Sequence, residues 1–148
     1  MKISKKNKWV LLFLLSTICS YPLQAQRIPE KKIPTAVVQA FQRYQYGVKN
    51  VYWEKEHQNF EANWKENGYD HSVAFSATGA FAGSETDVPL SQIPQPIRDY
   101  ADKHHLNIKE ASINEDAQHR KTYELDNAKG MAYIFDVQGK WIKTQKAD

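Results

Sequence analysis

Cysteine is all but missing from this chain. Cys19 is the only one, so a disulfide framework, a thiol nucleophile and a thiolate metal site have no basis once residue 19 is removed. Long apolar runs are missing too. The longest, Trp9 to Ile18, holds about ten residues, against the roughly 20 needed to cross a bilayer. No later segment is apolar enough to span. Clustered positive charge is also lacking after the first 25 residues. The whole chain carries 20 Lys+Arg against 17 Asp+Glu, but Lys2, Lys5, Lys6 and Lys8 all fall in a stretch without an acid. Subtracting those four leaves 16 cations against 17 anions from Gln26 onward. Binding a nucleic acid by counterion release needs a clustered basic surface. Only short pairs such as Lys31-Lys32 and Arg120-Lys121 remain, so nucleic acid is excluded as a partner.

The same four lysines, the short apolar run and Leu23-Gln24-Ala25 have the order of a secretory signal: positive start, apolar middle, small-residue cleavage site. Residues 1–25 are therefore expected to be removed after Ala25, leaving a domain of residues 26–148 in the periplasm or outside the cell. Lipid attachment at Cys19 would need a small residue before it, and Ile18 is bulky. Without staples the exported chain must be held by burial alone. A lone unit of about 60 residues buries only about 60% of its unfolded surface, so two units sharing one core are the safer expectation.

An internal similarity suggests two such units. Ile33-Pro34 returns as Ile93-Pro94, and the Ala74 to Gly79 segment returns as Ile134 to Gly139, a constant offset that points to a duplication. Pro34 suits the first turn of a helix, and Val37, Val38, Phe41 and Tyr44 follow at helical spacing. Ile93, Ile97, Tyr100, Ala101 and His104 repeat the stripe, with Pro96 also in the first turn. Alternating strands follow each helix. Trp53 alternates with Tyr52 and Glu54, and Phe60, Ala62 and Trp64 alternate with Glu61, Asn63 and Lys65. Asn67-Gly68 has the composition of a type I′ hairpin turn. Ala111 and Ile113, Tyr123 and Leu125, Met131 to Val137, and Trp141 continue the pattern. The fold class expected is α+β: a tandem repeat of one helix followed by a four-stranded antiparallel sheet, with the helices covering one sheet face. The repeats span about 33–88 and 93–144, and residues 85–92 form a tight connection.

Ile33-Pro34 with Phe41, Val51-Tyr52-Trp53, Phe60-Glu61-Ala62, Asn67-Gly68 and Ser72 to Gly79 together resemble the PepSY-like family of exported bacterial proteins, which is described as similar to β-lactamase inhibitor protein. The resemblance covers roughly residues 32–144. It implies a tandem helix-plus-sheet architecture, a periplasmic or surface location and a binding or inhibitory role, with no catalytic residues to carry over. Ala111, Ile113 and Ala101 stand where the first half has Val51, Trp53 and Phe41, which argues against two equivalent binding sites.

Constellations that could carry chemistry reduce to simpler readings. His57, His71, His104, His105 and His119 contain no pair at the i, i+4 helical or i, i+2 strand spacing of metal ligands. They read as one half-buried residue at the second helix's end and four solvated ones. Asp70-His71-Ser72 has the residue types of a hydrolytic triad, but neighbours on a strand point to opposite faces. Glu54 and Glu56 share a strand face without the unequal environments that glycoside hydrolysis needs. Trp53, Trp64, Phe75, Tyr133, Phe135 and Trp141 fall on the helix-facing series and read as core. The opposite series places Tyr52, Glu54, Glu61, Lys65, Ile134 and Ile142 on an open face, mixed polar and apolar like a modest protein interface. The expectation is a non-enzymatic exported protein with no cofactor and no metal, binding or inhibiting a protein or peptide through that face. A periplasmic carrier or sensor for a small ligand or metal is the alternative, favoured by a lined cavity between helices and sheet.

Overall fold

Asn67 and Gly68 take φ values of 53° and 88°, the positive pair that a two-residue hairpin turn requires. The structure, a computed structural model, describes residues 26–147; the expected signal and its cleavage after Ala25 lie outside the described residues. In chain order the elements are β1 (Gln26–Ile28), α1 (Thr35–Tyr44), β2 (Tyr52–Glu56), β3 (Asn59–Glu66), β4 (Tyr69–Phe75) and β5 (Phe81–Asp87). Then come α2 (Gln95–Lys103), β6 (Ile108–Asp116), β7 (Lys121–Asn127), β8 (Met131–Asp136) and β9 (Trp141–Lys146). A single 3-10 turn precedes each helix, at Glu30–Lys32 and Leu90–Gln92.

The nine strands form one antiparallel sheet in strict sequence order. This corrects the expected architecture. There is no tandem of two helix-plus-four-strand units: β5 pairs with β6, Thr86 opposite Ile113, and β1 adds a strand outside β2. The expected connection over residues 85–92 is partly strand, because Glu85, Thr86 and Asp87 belong to β5. Its sequence hides it. Phe81 stacks on Tyr44 of α1 beside the first core, but Ala82-Gly83-Ser84-Glu85-Thr86-Asp87 carries no apolar alternation, the pattern a strand lacks where no helix covers it.

One register row shows how the helices sit. Trp64, His71, Thr86, Ile113, Tyr123 and Phe135 are successive cross-strand partners and therefore share a face. At one end of the row, Val37, Ala40 and Phe41 of α1 bury against Trp53, Ala62, Trp64, Val73 and Phe75. At the other, Ile97 and Ala101 of α2 bury against Ala111, Leu125 and Phe135. Both helices thus lie on the same side of the sheet. His71 and Thr86, in the middle of the row, are only half buried, and the expected shared core is two clusters, one under each helix.

The N-terminal ends of both helices are pinned by hairpin turns. Gly79 donates its N–H to the Ser76 carbonyl, and Gly139 to the Asp136 carbonyl. Both glycines have φ near 80°. A Cβ on Gly79 would stand 2.6 Å from the Ala36 carbonyl oxygen, and one on Gly139 3.0 Å from Pro96 Cβ. Only glycine gives both the left-handed backbone and the close approach.

Candidate docking face

The sheet face opposite the helices carries the residues expected there. Tyr52, Asn63, Ser72, Glu85, Asn114, Thr122 and Asp136 form one register row across it. A second row runs through Asp87, Ser112, Glu124, Ile134 and Lys143, and a third through Arg27, Glu54, Glu61 and Ala74. Strand alternation placed Tyr52, Glu54, Glu61, Asn63, Ser72 and Ile134 on this side, but not Glu85 or Asp87, and none of them beside its neighbours.

The structure divides the six sequence-predicted site residues between two places. Tyr52 is exposed, with the Arg27 guanidinium 4.3 Å from its ring centroid, and Glu54 approaches Arg27 at 4.0 Å. Tyr52 and Glu61 line a hollow of about 250 Å³ with Ser72, Asp70, Glu85 and Asp87. Lys65 stands at the rim in an exposed ion pair of 3.2 Å with Asp70. Ile134 and Ile142 lie on the far half of the face, in a shallow groove of about 620 Å³ shared with Thr122, Glu124, Asp136 and Lys143. Six strand spacings separate β2 from β8, on the order of 29 Å, so Tyr52 and Ile134 do not meet in one pocket. Ile134 is buried, while Ile142, at the irregularity between β8 and β9, is exposed.

Glu85 and Asp87 escape the sequence pattern, which makes residues 85–92 a connection, whereas both belong to β5. They matter to the electrostatics of the face. The Glu61 carboxyl is pushed above its ordinary 4.5 by loss of solvent, then by Glu56 and Glu54, with the Ser72 hydroxyl opposing. Loss of solvent also raises Glu85, joined by the charges of Asp87, Asp126 and Glu61 and opposed by Ser112. The flank of Glu85 stays exposed, so water still screens part of that penalty. Asp87 is raised by the same loss of solvent and by Asp70 and Glu110, with His71 opposing. Among the described residues none of these three carboxylates has a Lys or Arg within 4.0 Å. Buried Ser112 and the Asn114 amide, which donates to Glu124 at 2.8 Å, pave the adjoining strand.

The helix-covered side leaves little room for a ligand. Phe41 packs edge-on against Trp53 and Trp64 at 5.5 and 5.6 Å, and Tyr100 against Phe135 at 5.1 Å. Of the residues assigned to that core, Trp53, Trp64, Phe75 and Phe135 are buried and Tyr133 half buried, but Trp141 is 45% exposed on edge strand β9.

Asp70, His71 and Ser72 diverge as strand geometry demands. Asp70 pairs with Lys65, the His71 ring stacks on Trp64 at 5.2 Å on the helix side, and Ser72 opposes Asn63 on the open face. Among the described residues no three His, Cys, Asp or Glu are placed to hold a metal ion. The half-buried histidine is His71, not His104 at the helix end. His57, His105 and His119 instead serve turns, with φ between 51° and 60°.

No family model matches the chain, so the PepSY-like membership that the motifs implied gains no support, and no curated protein matches it either. Solved structures do. A structure from Bacteroides eggerthii described as a periplasmic protein aligns over 76% of this chain and 88% of its own, with TM-score 0.69 and 16% identity. A DUF2874 family protein from Bacteroides ovatus aligns over 76% and 86%, with TM-score 0.68 and 17% identity. A BLIP-like protein from Bacteroides fragilis aligns over 75% and 84%, with TM-score 0.63 and 14% identity. The chain therefore shares the fold of a set of proteins that includes BLIP-like and DUF2874 structures.

Proposed function

We propose that this is an exported, non-enzymatic protein that docks a protein or peptide on the open face of its sheet. The observation that carries the reading is the contrast between the two faces: one is filled by aromatic and aliphatic packing under the helices, the other is an uncovered, mainly polar and acid-lined platform. Strand side chains on such a platform are held by the backbone ladder and lose little order on binding. The fold shared with periplasmic and BLIP-like proteins supports the compartment and a binding role, and the order of residues 1–25 supports export. Tyr52, Glu54, Glu61, Lys65, Ile134 and Ile142 are the proposed contact residues, joined by Glu85 and Asp87. Tyr52 is the anchor, a large ring with a polar tip and a charged surround. A small-ligand carrier is the second reading, because the groove at Ile134 has the volume of a ligand site.

A photo-crosslinking side chain at position 52, compared with one at Arg43 on the exposed side of α1, tests the proposal in the periplasm. Adducts of defined mass from position 52 only are expected, and Tyr52→Ala should weaken that partner's binding by about 1–3 kcal/mol. Crosslinks from position 43 alone, or binding that is lost on chelation and unaffected by Tyr52→Ala, would sink it.

A further inference from the structure

The acids of the open face have a feature that folding does not explain. Glu61, Glu85 and Asp87 crowd strands β3 and β5 at the centre of the sheet, each loses solvent, and each repels another acid nearby. Their neighbours across the strands are Glu54, Ala74, Ser72, Asn114 and Ser112, which bring no positive charge. Cations on the same face stand at its margins: Arg27 on β1, Lys65 at the end of β3, Arg120 at the β6–β7 turn, paired with Asp116, and Lys143 on β9. A second, independent feature adjoins the acids. On β8 and β9, Ile134 and the 48% exposed Ile142 give the groove an apolar floor.

We propose that the docking segment of the partner places a Lys or Arg side chain over Glu61, Glu85 and Asp87 and an apolar side chain on Ile134 and Ile142. This rests on the open-face reading above and names the chemistry of its partner. Charge complementarity selects the occupant, because a cation supplies the counter-charge that the centre of the face lacks. An anionic surface, nucleic acid included, would be repelled. The spacing follows from the sheet. Three strand separations lie between β5 and β8, roughly 14 Å, and an extended segment crossing the strands covers that in about four residues. Raised carboxyls add a signature: a bound cation favours their ionised form, so binding in mildly acid solution releases protons.

The test uses the full mature chain and two octapeptides, one with Arg and Leu four positions apart and one with Glu replacing the Arg. Amide shifts are followed up to millimolar peptide at low and at physiological salt. The Arg peptide is expected to shift residues of β3, β5, β6, β8 and β9, more weakly as salt rises, and the Glu peptide is not. Glu61→Gln/Glu85→Gln/Asp87→Asn should weaken the Arg peptide by roughly tenfold or more, with Ile134→Asp as a separate probe of the apolar contact. Equal binding of both peptides on this face, or unchanged affinity in the triple variant, overturns the cationic partner and leaves the docking face standing. Shifts confined to α1 or α2 overturn the docking face itself. No shift with either peptide overturns the pairing proposed here.

Discussion

The region under α1 and the region under α2 share one sheet but are filled differently. The first core is aromatic: Phe41, Trp53, Phe60, Trp64 and Phe75. The second is mainly aliphatic, with Val88, Ile93, Ile97 and Leu125 around Phe135. Phe41 on α1 reaches two tryptophans, whereas buried Ala101 on α2 brings its helix close to Ala111 and Leu125. The open faces differ as well, acids lining the β3–β5 end and isoleucines flooring the β8–β9 end. Between the cores, the Gly83 to Asp87 stretch of β5 continues the backbone ladder outside both clusters. The lesson is that sheet continuity and core continuity are separate properties: hydrogen bonds join the halves while apolar packing holds each one.

The largest expected effects come from emptying either core. Trp53→Ala and Phe135→Ala should each cost about 3–5 kcal/mol in denaturant unfolding. Hydrogen exchange then separates the regions: the first substitution should strip protection from α1 and β2–β4, the second from α2 and β6–β8. Uniform loss of protection from either would show one cooperative core and break the distinction. Overpacking gives a smaller effect. Ala101→Phe, which mimics the aromatic side, should cost about 1–3 kcal/mol.

The glycines sharpen the comparison further. Gly79→Ala sets a Cβ against a backbone carbonyl in α1, and Gly139→Ala against a proline ring carbon in α2. Both incur the left-handed penalty, of order 1–3 kcal/mol, and Gly79→Ala should lower the melting temperature more. A larger loss for Gly139→Ala would mean that the second turn is the tighter clamp. At the bottom of the scale, Tyr52→Ala should change stability by no more than about 0.5 kcal/mol, because its ring is exposed and outside both cores.

Local chemistry made much of this fold legible. The Pro34 and Pro94 helix starts, the Asn67-Gly68 turn and the sides of the residues in β2–β4 and β7–β8 were readable because each depends on a few neighbouring residues. Sheet extent was not. Pairing of β5 with β6 joins strands separated by a whole helix, and neither the polar β5 nor the three-residue β1 shows the period that betrays a covered strand. For the site, alternation chose the correct face for Glu61 and Lys65, yet Glu85 and Asp87 stayed hidden with β5. The burial of Ile134 and the exposure of Trp141 depend on what lies at the sheet edge, which periodicity does not report.

The central claim is that the helix-covered face holds the fold while the open face is kept for docking. Glu61 and Glu85 test it through their protons. Each binds its proton more tightly folded than unfolded, so the ionised form costs stability. That cost is absent below the unfolded value near 4.5 and is fully present above the raised folded values. The direct measurement is the melting temperature of Glu61→Gln/Glu85→Gln beside the unsubstituted protein, from pH 3 to pH 8. A gain of about 1–3 °C at pH 7 that disappears below about pH 4 is the predicted result. A melting temperature several degrees lower at pH 7 would show that these carboxylates stabilise the fold and would contradict the account.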